Sequence, residues 1–232
     1  VTSDIPAGDF PSGHIPAGRP LFSLLEDTLV SAESGRLTVH GRWGAVEVTD
    51  SSPLVREALH RMGLGPVSLE NIPVLFNDFV LWKSSGKIGA QWLRLRRTLD
   101  RLGGCVVPSL GLQDGAGPIL SLIAVVGNAV FRCPHVADEQ LITIRPGASI
   151  EDVDGDHVLV CDGLSYTAVL HRPPATGIVK SLLDGETTIA EVAAGSEVGK
   201  EVVSDVVAYL ASAGFILTEG TGKTDRTSTG HR

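Results

Sequence analysis

Residues 35 to 72 lie over residues 155 to 192 without a gap, a repeat at a spacing of 120. Gly35 falls on Gly155, Pro53 on Pro173 and Gly65 on Gly185, while the stripe Val55, Ala58, Leu59, Met62 falls on Ala175, Ile178, Val179, Leu182. Ser68-Leu69 matches Thr188-Ile189, and Ile72 matches Val192. Each copy of such a repeat should be one supersecondary unit, and two copies are too few for a solenoid. Two related small domains in tandem are therefore expected, and 232 residues hold two units of ~100 residues each.

Local patterns give each copy the same order. In the first, Arg36 to His40 and Trp43 to Thr49 read as a hairpin whose second strand alternates Val46, Glu47, Val48. Pro53 opens a helix running to Met62, with Arg56, Glu57, His60 and Arg61 on its wet side. Gly63 and Gly65 stop it, and Ser68 is expected to cap a second helix that includes Leu75, Phe76 and Phe79. Trp92, Leu95, Leu99 and Leu102 form the stripe of a third helix, ended by Gly103-Gly104. Strands at Cys105 to Leu110 and Ile119 to Val126 follow, joined through Gln113-Asp114-Gly115.

The second copy has strands at Leu141 to Ile144, His157 to Cys161 and Ser165 to Leu170, then a helix from Ala175 to Leu183. Thr188 and Glu191 have the spacing of a capping box. A last helix near Lys200 to Ala213 buries Val203, Val206, Leu210 and Ala213, which match 92, 95, 99 and 102 at a spacing of 111. The drop from 120 to 111 places nine extra residues between the second and third helices of the first copy. The expected fold is α+β, two tandem winged helix-turn-helix units of short antiparallel strands followed by three helices. The boundaries read as a Pro/Gly-rich arm 1–20, a first unit 21–126, a linker 127–140, a second unit 141–219 and a tail 220–232.

Composition excludes several classes. A formal charge of -8 opposes nonspecific attraction to nucleic acid or anionic membranes. Cys105, Cys133 and Cys161 are an odd, scattered set that suggests neither a disulfide framework nor a paired metal clamp, and reduced thiols in a cytoplasm are the simpler expectation. No apolar run has the length of a signal peptide or a membrane span, and Val1 reads as an initiator position. Mean hydropathy of +0.19 suits folded units.

Catalytic constellations are missing. Gly220-Thr-Gly222-Lys223-Thr224 resembles the end of a phosphate loop, but Leu217 stands where the first glycine is required. Asp152, Asp154 and Asp156 begin like a calcium loop, yet His157 and Gly163 stand where glycine and glutamate are needed. Cys133-Pro134-His135, with Cys161 or His171, lacks a second ligand pair for zinc. No Gly-x-Ser-x-Gly elbow occurs. No catalytic residue and no metal ligand are assigned.

What is left is backbone. A strand at a sheet edge exposes unpaired N-H and C=O groups to which an extended peptide can add. Trp43 to Thr49 is one such candidate. The other is Ser165, Tyr166, Thr167, Ala168, Val169 and Leu170, with Val202, Asp205 and Tyr209 of the last helix as the second wall. Arg94, Arg96, Arg97 and Arg101 suit an acidic peptide or a partner protein. They also invite a major-groove reading, which Lys200, Glu201 and Asp205 in the second copy oppose.

The runs His157-Val-Leu-Val-Cys161, Ile178 to Val192 and Val203 to Phe215 resemble the PqqD-like peptide-recognition domain: helix, Asp-Gly, capped Thr-x-x-Glu helix, and a last helix ending in Ala-Gly-Phe-Ile. Two such units, with Gly-Arg-Leu-Thr-Val-His and Leu-Arg-Arg-Thr-Leu-Asp-Arg-Leu-Gly-Gly in the first, are similar over roughly residues 20 to 218 to the amino-terminal half of SagB-type azoline dehydrogenases. That resemblance implies binding of a precursor leader peptide, added as a strand beside a third helix. It also implies a partner, an FMN dehydrogenase or a cyclodehydratase, with self-association into a homodimer as a further option. In the family an FMN-binding nitroreductase-like domain follows the second unit. No residue here matches that domain, so no catalytic or flavin-binding position is transferred and no cofactor is expected in this chain. The alternatives are a split or truncated SagB-type oxidoreductase acting with an FMN subunit, and a winged-helix DNA-binding regulator.

Overall fold

The structure is a computed structural model that describes residues 17–33 and 35–218. Most of the arm, the tail and the phosphate-loop-like run at Gly220 lie outside the described residues. The first half runs Arg19–Leu24 (β1), Leu29–Glu33 (β2), Arg36–Gly41 (β3), Gly44–Val48 (β4), Pro53–Met62 (α1), Phe76–Ser85 (α2), Ala90–Leu102 (α3), Val106–Gly111 (β5) and Pro118–Ala124 (β6). The second half runs Ile142–Ile144 (β7), Ser149–Val153 (β8), Asp156–Val160 (β9), Tyr166–Leu170 (β10), Ala175–Leu183 (α4), Ile189–Ala194 (α5), Lys200–Ser212 (α6) and Ile216–Thr218 (β11). The fold is α+β, with antiparallel sheets and, among the described residues, six α-helices. None of them is long and apolar enough to cross a membrane.

The repeat is visible in the backbone. Isolated bridges join Phe22 to Val67 and Ile142 to Thr187, two pairs 120 residues apart. Gly65 and Gly185 have φ of 143° and 148°, which a side chain at either position would resist. The stripes Val55, Ala58, Leu59, Met62 and Ala175, Ile178, Val179, Leu182 are buried, one in each of two hydrophobic cores. Burying a Leu or Ile of this kind contributes about 1.5–3 kcal/mol, so the stripes hold each helix to its layer.

Between the helices the copies differ. Ser68 makes no side-chain cap, and its hydroxyl is buried without a partner among the described residues. Two short 3-10 turns, Leu69–Asn71 and Pro73–Leu75, stand where one continuous helix was expected, because Pro73 cannot donate the N-H that would carry a helix through. The nine extra residues appear as α2, which exposes Phe76, Val80 and Leu81. In the second copy Thr188 accepts from the Glu191 N-H at 3.2 Å, and Glu191 accepts from the Thr188 N-H at 2.9 Å, forming the capping box.

The sheets join the two halves. β2, β3 and β4 form a three-stranded sheet and β7 pairs with β11, but a six-stranded sheet runs β1-β5-β6-β10-β9-β8. Strand β6 crosses from the first half to pair with β10, and Leu110, Ile119, Leu120, Leu122 and Ala124 belong to the second core. The described part of the arm is structured too: β1 begins at Arg19, whose guanidinium pairs with Glu70.

Candidate functional site

The second-copy strand is not at an edge. Strand β10 has β9 on one side and β6 on the other, so the expectation that Ser165, Tyr166, Thr167, Ala168, Val169 and Leu170 offer free backbone groups is corrected. Val125 N-H donates to the Ser165 carbonyl at 2.9 Å, and His171 N-H donates to the Ile119 carbonyl at 3.0 Å. These bonds show which residues face β6: the odd-numbered ones, 165 through 171. Helix α6 lies against the same layer. Asp205 accepts from the Gly18 N-H at 2.8 Å, the Tyr209 hydroxyl donates to the Ser109 carbonyl at 3.0 Å, and Val202 packs against the second core. Burial pushes the Tyr209 phenol well above its usual range. The residues expected to hold a peptide thus hold strands of their own chain. The signal was in the run Ile119 to Ala124, too apolar to be left in water, but periodicity does not reveal which edge covers it.

The first-copy strand is at an edge. Strand β4 pairs only with β3 among the described residues, in the register Leu37 opposite Val48, Val39 opposite Val46 and Gly41 opposite Gly44. A two-residue loop makes its closing pair, Gly41 and Gly44, a hydrogen-bonded one, so residues 44, 46 and 48 point their backbone groups at β3. Ala45 and Glu47 point theirs outward. The repeat agrees, because Glu47 stands 120 residues before Thr167, which lies in the register facing β6.

Helix α3 forms the second wall. Arg94 donates to both carboxylate oxygens of Asp50, one bond at 2.9 Å, and its guanidinium holds the Asp50 carboxyl below the ordinary aspartate value. Arg101 donates to the Thr49 hydroxyl at 2.6 Å. Arg97 lies between them on the helix, exposed and with no partner among the described residues. The sequence had grouped four arginines, and the structure places three on this flank. Arg96 faces the other side, lining a small pocket with Trp92, Leu99, Phe131 and Cys133.

Elsewhere the chemistry is structural. Burial pushes the Cys133 thiol up to about 12, which keeps it a protonated thiol at neutral pH. Asp152 pairs with His157 across the β8–β9 hairpin, and among the described residues no cluster of His, Cys, Asp and Glu could hold a metal ion. The sequence did not suggest the chain in which Ser109 meets Ser121 at 2.7 Å and Ser121 meets His171 Nε2 at 2.8 Å. Burial lowers the His171 pKa, and among the described residues no carboxylate is hydrogen-bonded to its ring. Both serines are buried, so the chain bridges β5, β6 and the end of β10 without exposing a nucleophile. No protein-family model matches this chain, and no curated protein matches it.

Proposed function

We propose that this protein recognises an extended peptide by strand addition to β4, in the groove between β4 and α3, and that its ligand is the leader segment of a ribosomally made precursor whose core is converted to azoles. In this reading each half is a winged helix-turn-helix unit, and the resemblance to the recognition region of SagB-type azoline dehydrogenases supplies the biosynthetic setting. The observation that carries it is the asymmetry of the two copies: the β10 edge is filled by β6, while among the described residues the equivalent β4 edge has no second neighbour. Each backbone hydrogen bond made there contributes about 0.5–1.5 kcal/mol net, so a short strand yields useful affinity and side-chain pockets add selectivity.

Oxidation of azolines is assigned to a partner, an FMN dehydrogenase, and ring formation to a cyclodehydratase. A cleft between α4 and the α5–α6 turn is lined by Glu197, Ser181, Ser196 and apolar groups with no cation, a lining that does not suit a flavin phosphate. No redox step is placed on this chain's residues. The test is titration of the purified protein with a fluorescently labelled precursor leader, alone and with the cognate enzyme. Saturable binding is the expected result; no binding in either format overturns the proposal.

A further inference from the structure

We infer that strand β6 is a built-in copy of the ligand: the first-copy groove takes an antiparallel segment with apolar residues at alternate positions and carboxylates directed at Arg94, Arg97 and Arg101. The inference rests on the strand-addition reading and deepens it by naming the class of peptide. Because the strands correspond at a spacing of 120 and the last helices at 111, the occupied groove is a template for the open one.

The template gives orientation and register. Strand β6 runs antiparallel to β10, with Ala124 opposite Tyr166, Leu122 opposite Ala168 and Leu120 opposite Leu170. Those β10 positions correspond, at the spacing of 120, to Val46, Val48 and Asp50. Leu120, Leu122 and Ala124 enter the core beneath the sheet, and Val46 and Val48 lie against the first core in the same manner. A ligand in this register sets an apolar side chain opposite each valine, the contact that stabilises cross-strand pairs.

The helix flank supplies selectivity. At the spacing of 111, Asp205, Ala208, Tyr209 and Ser212 of α6 correspond to Arg94, Arg97, Thr98 and Arg101 of α3. On α6, beside the filled groove, Asp205 and the Ser212 hydroxyl accept backbone N-H groups from segments flanking the sheet rather than from β6, Gly18 at 2.8 Å and Arg132 at 3.1 Å. At the same places the open groove presents the exposed Arg97 guanidinium, flanked by Arg94, which also holds Asp50, and Arg101, which also holds Thr49. A flank that accepts has become one that donates, and carboxylates are the side chains that satisfy paired guanidinium donors best.

The probe is a fluorescein-labelled synthetic peptide with leucines and an alanine at alternate positions, threonines between them, and two aspartates at each end. A second peptide has lysines in place of the aspartates. At 50 mM salt the aspartate peptide should bind roughly tenfold more tightly, the effect of two or three exposed ion pairs, and Arg97→Glu should shrink or invert that ratio. Glu47→Pro removes an outward N-H without taking a bond from the β3 ladder, so it should keep the wild-type melting temperature and lose both peptides. Ala45→Pro provides a second variant of the same kind.

Equal affinity for the two peptides, with loss of both in the proline variants, would overturn the acidic selection and leave strand addition standing. Binding indifferent to both proline variants would overturn strand addition and the template with it, as would no saturable binding of either peptide to the wild-type protein.

Discussion

Replacing Tyr209 with phenylalanine tests whether the second groove is locked by its own chain. The ring is 2% exposed and packs against Phe131 with centroids 4.9 Å apart, contacts that phenylalanine keeps. Only the hydroxyl is lost, and with it the 3.0 Å bond to the Ser109 carbonyl on β5. A net hydrogen bond contributes about 1 kcal/mol, and leaving a buried acceptor short of a partner raises the cost, so Tyr209→Phe should destabilise by about 1–3 kcal/mol. At ~2–4 °C per kcal/mol for a chain of this size, melting should fall by several degrees. Urea unfolding followed by circular dichroism at pH 7 reads the change as a lower midpoint at constant slope. Because burial holds the phenol well above its usual range, the loss should be the same at pH 6 and pH 8. Peptide affinity at β4 should not change. A midpoint shift equivalent to less than ~0.5 kcal/mol would show that the bond does not hold α6 to the sheet, and the locked-groove account would fail.

Two further perturbations address the repeat and its caps. Gly65→Ala and Gly185→Ala place a side chain at φ near +145° where no neighbour lies within 4 Å, so backbone strain alone should cost ~1–3 kcal/mol at each site. Matched losses in thermal melts would confirm equivalent turns, and a neutral effect at either site would refute the equivalence. Backbone donation from Thr188, helped by the Thr187 and Thr188 hydroxyls, holds the Glu191 carboxyl below 4.5. Its contribution is therefore complete above about pH 4.5 and is lost as pH falls through the lowered value. Glutamine also closes a capping box and does not titrate, so Glu191→Gln should lose less stability than wild type between pH 5 and pH 3, read as urea midpoints. Parallel pH profiles would refute that assignment.

The helices were legible because their signals are local. Apolar positions three and four apart defined α1, α3, α4 and α6, and the Thr188/Glu191 spacing announced the cap on α5. Strands β1, β2 and β8 were missed: Leu29–Glu33 and Ser149–Val153 are mostly exposed and Arg19–Leu24 is buried nearly throughout, so none of the three alternates. The Ser68 cap failed because Pro73 interrupts the helix it was meant to start. The arginine cluster was visible as a group, but its division into a flank with Arg94, Arg97 and Arg101 and a separate Arg96 needed the Asp50 and Thr49 partners.

By itself the amino-acid sequence determined the duplication, the apolar stripes that make each half fold, the nine-residue insertion and the absence of a recognisable catalytic motif. Those properties follow from short-range periodicity and from which residue types are present. Only the tertiary structure decided which strand edge is open. Ser165 to Leu170 and Trp43 to Thr49 are equivalent as local patterns, but β6, from 42 to 50 residues earlier in the chain, covers the first, and among the described residues the second keeps a free side. Backbone pairing is carried by N-H and C=O groups that every residue shares, so the partner is chosen by long-range packing of Ile119, Leu120 and Leu122 into the second core.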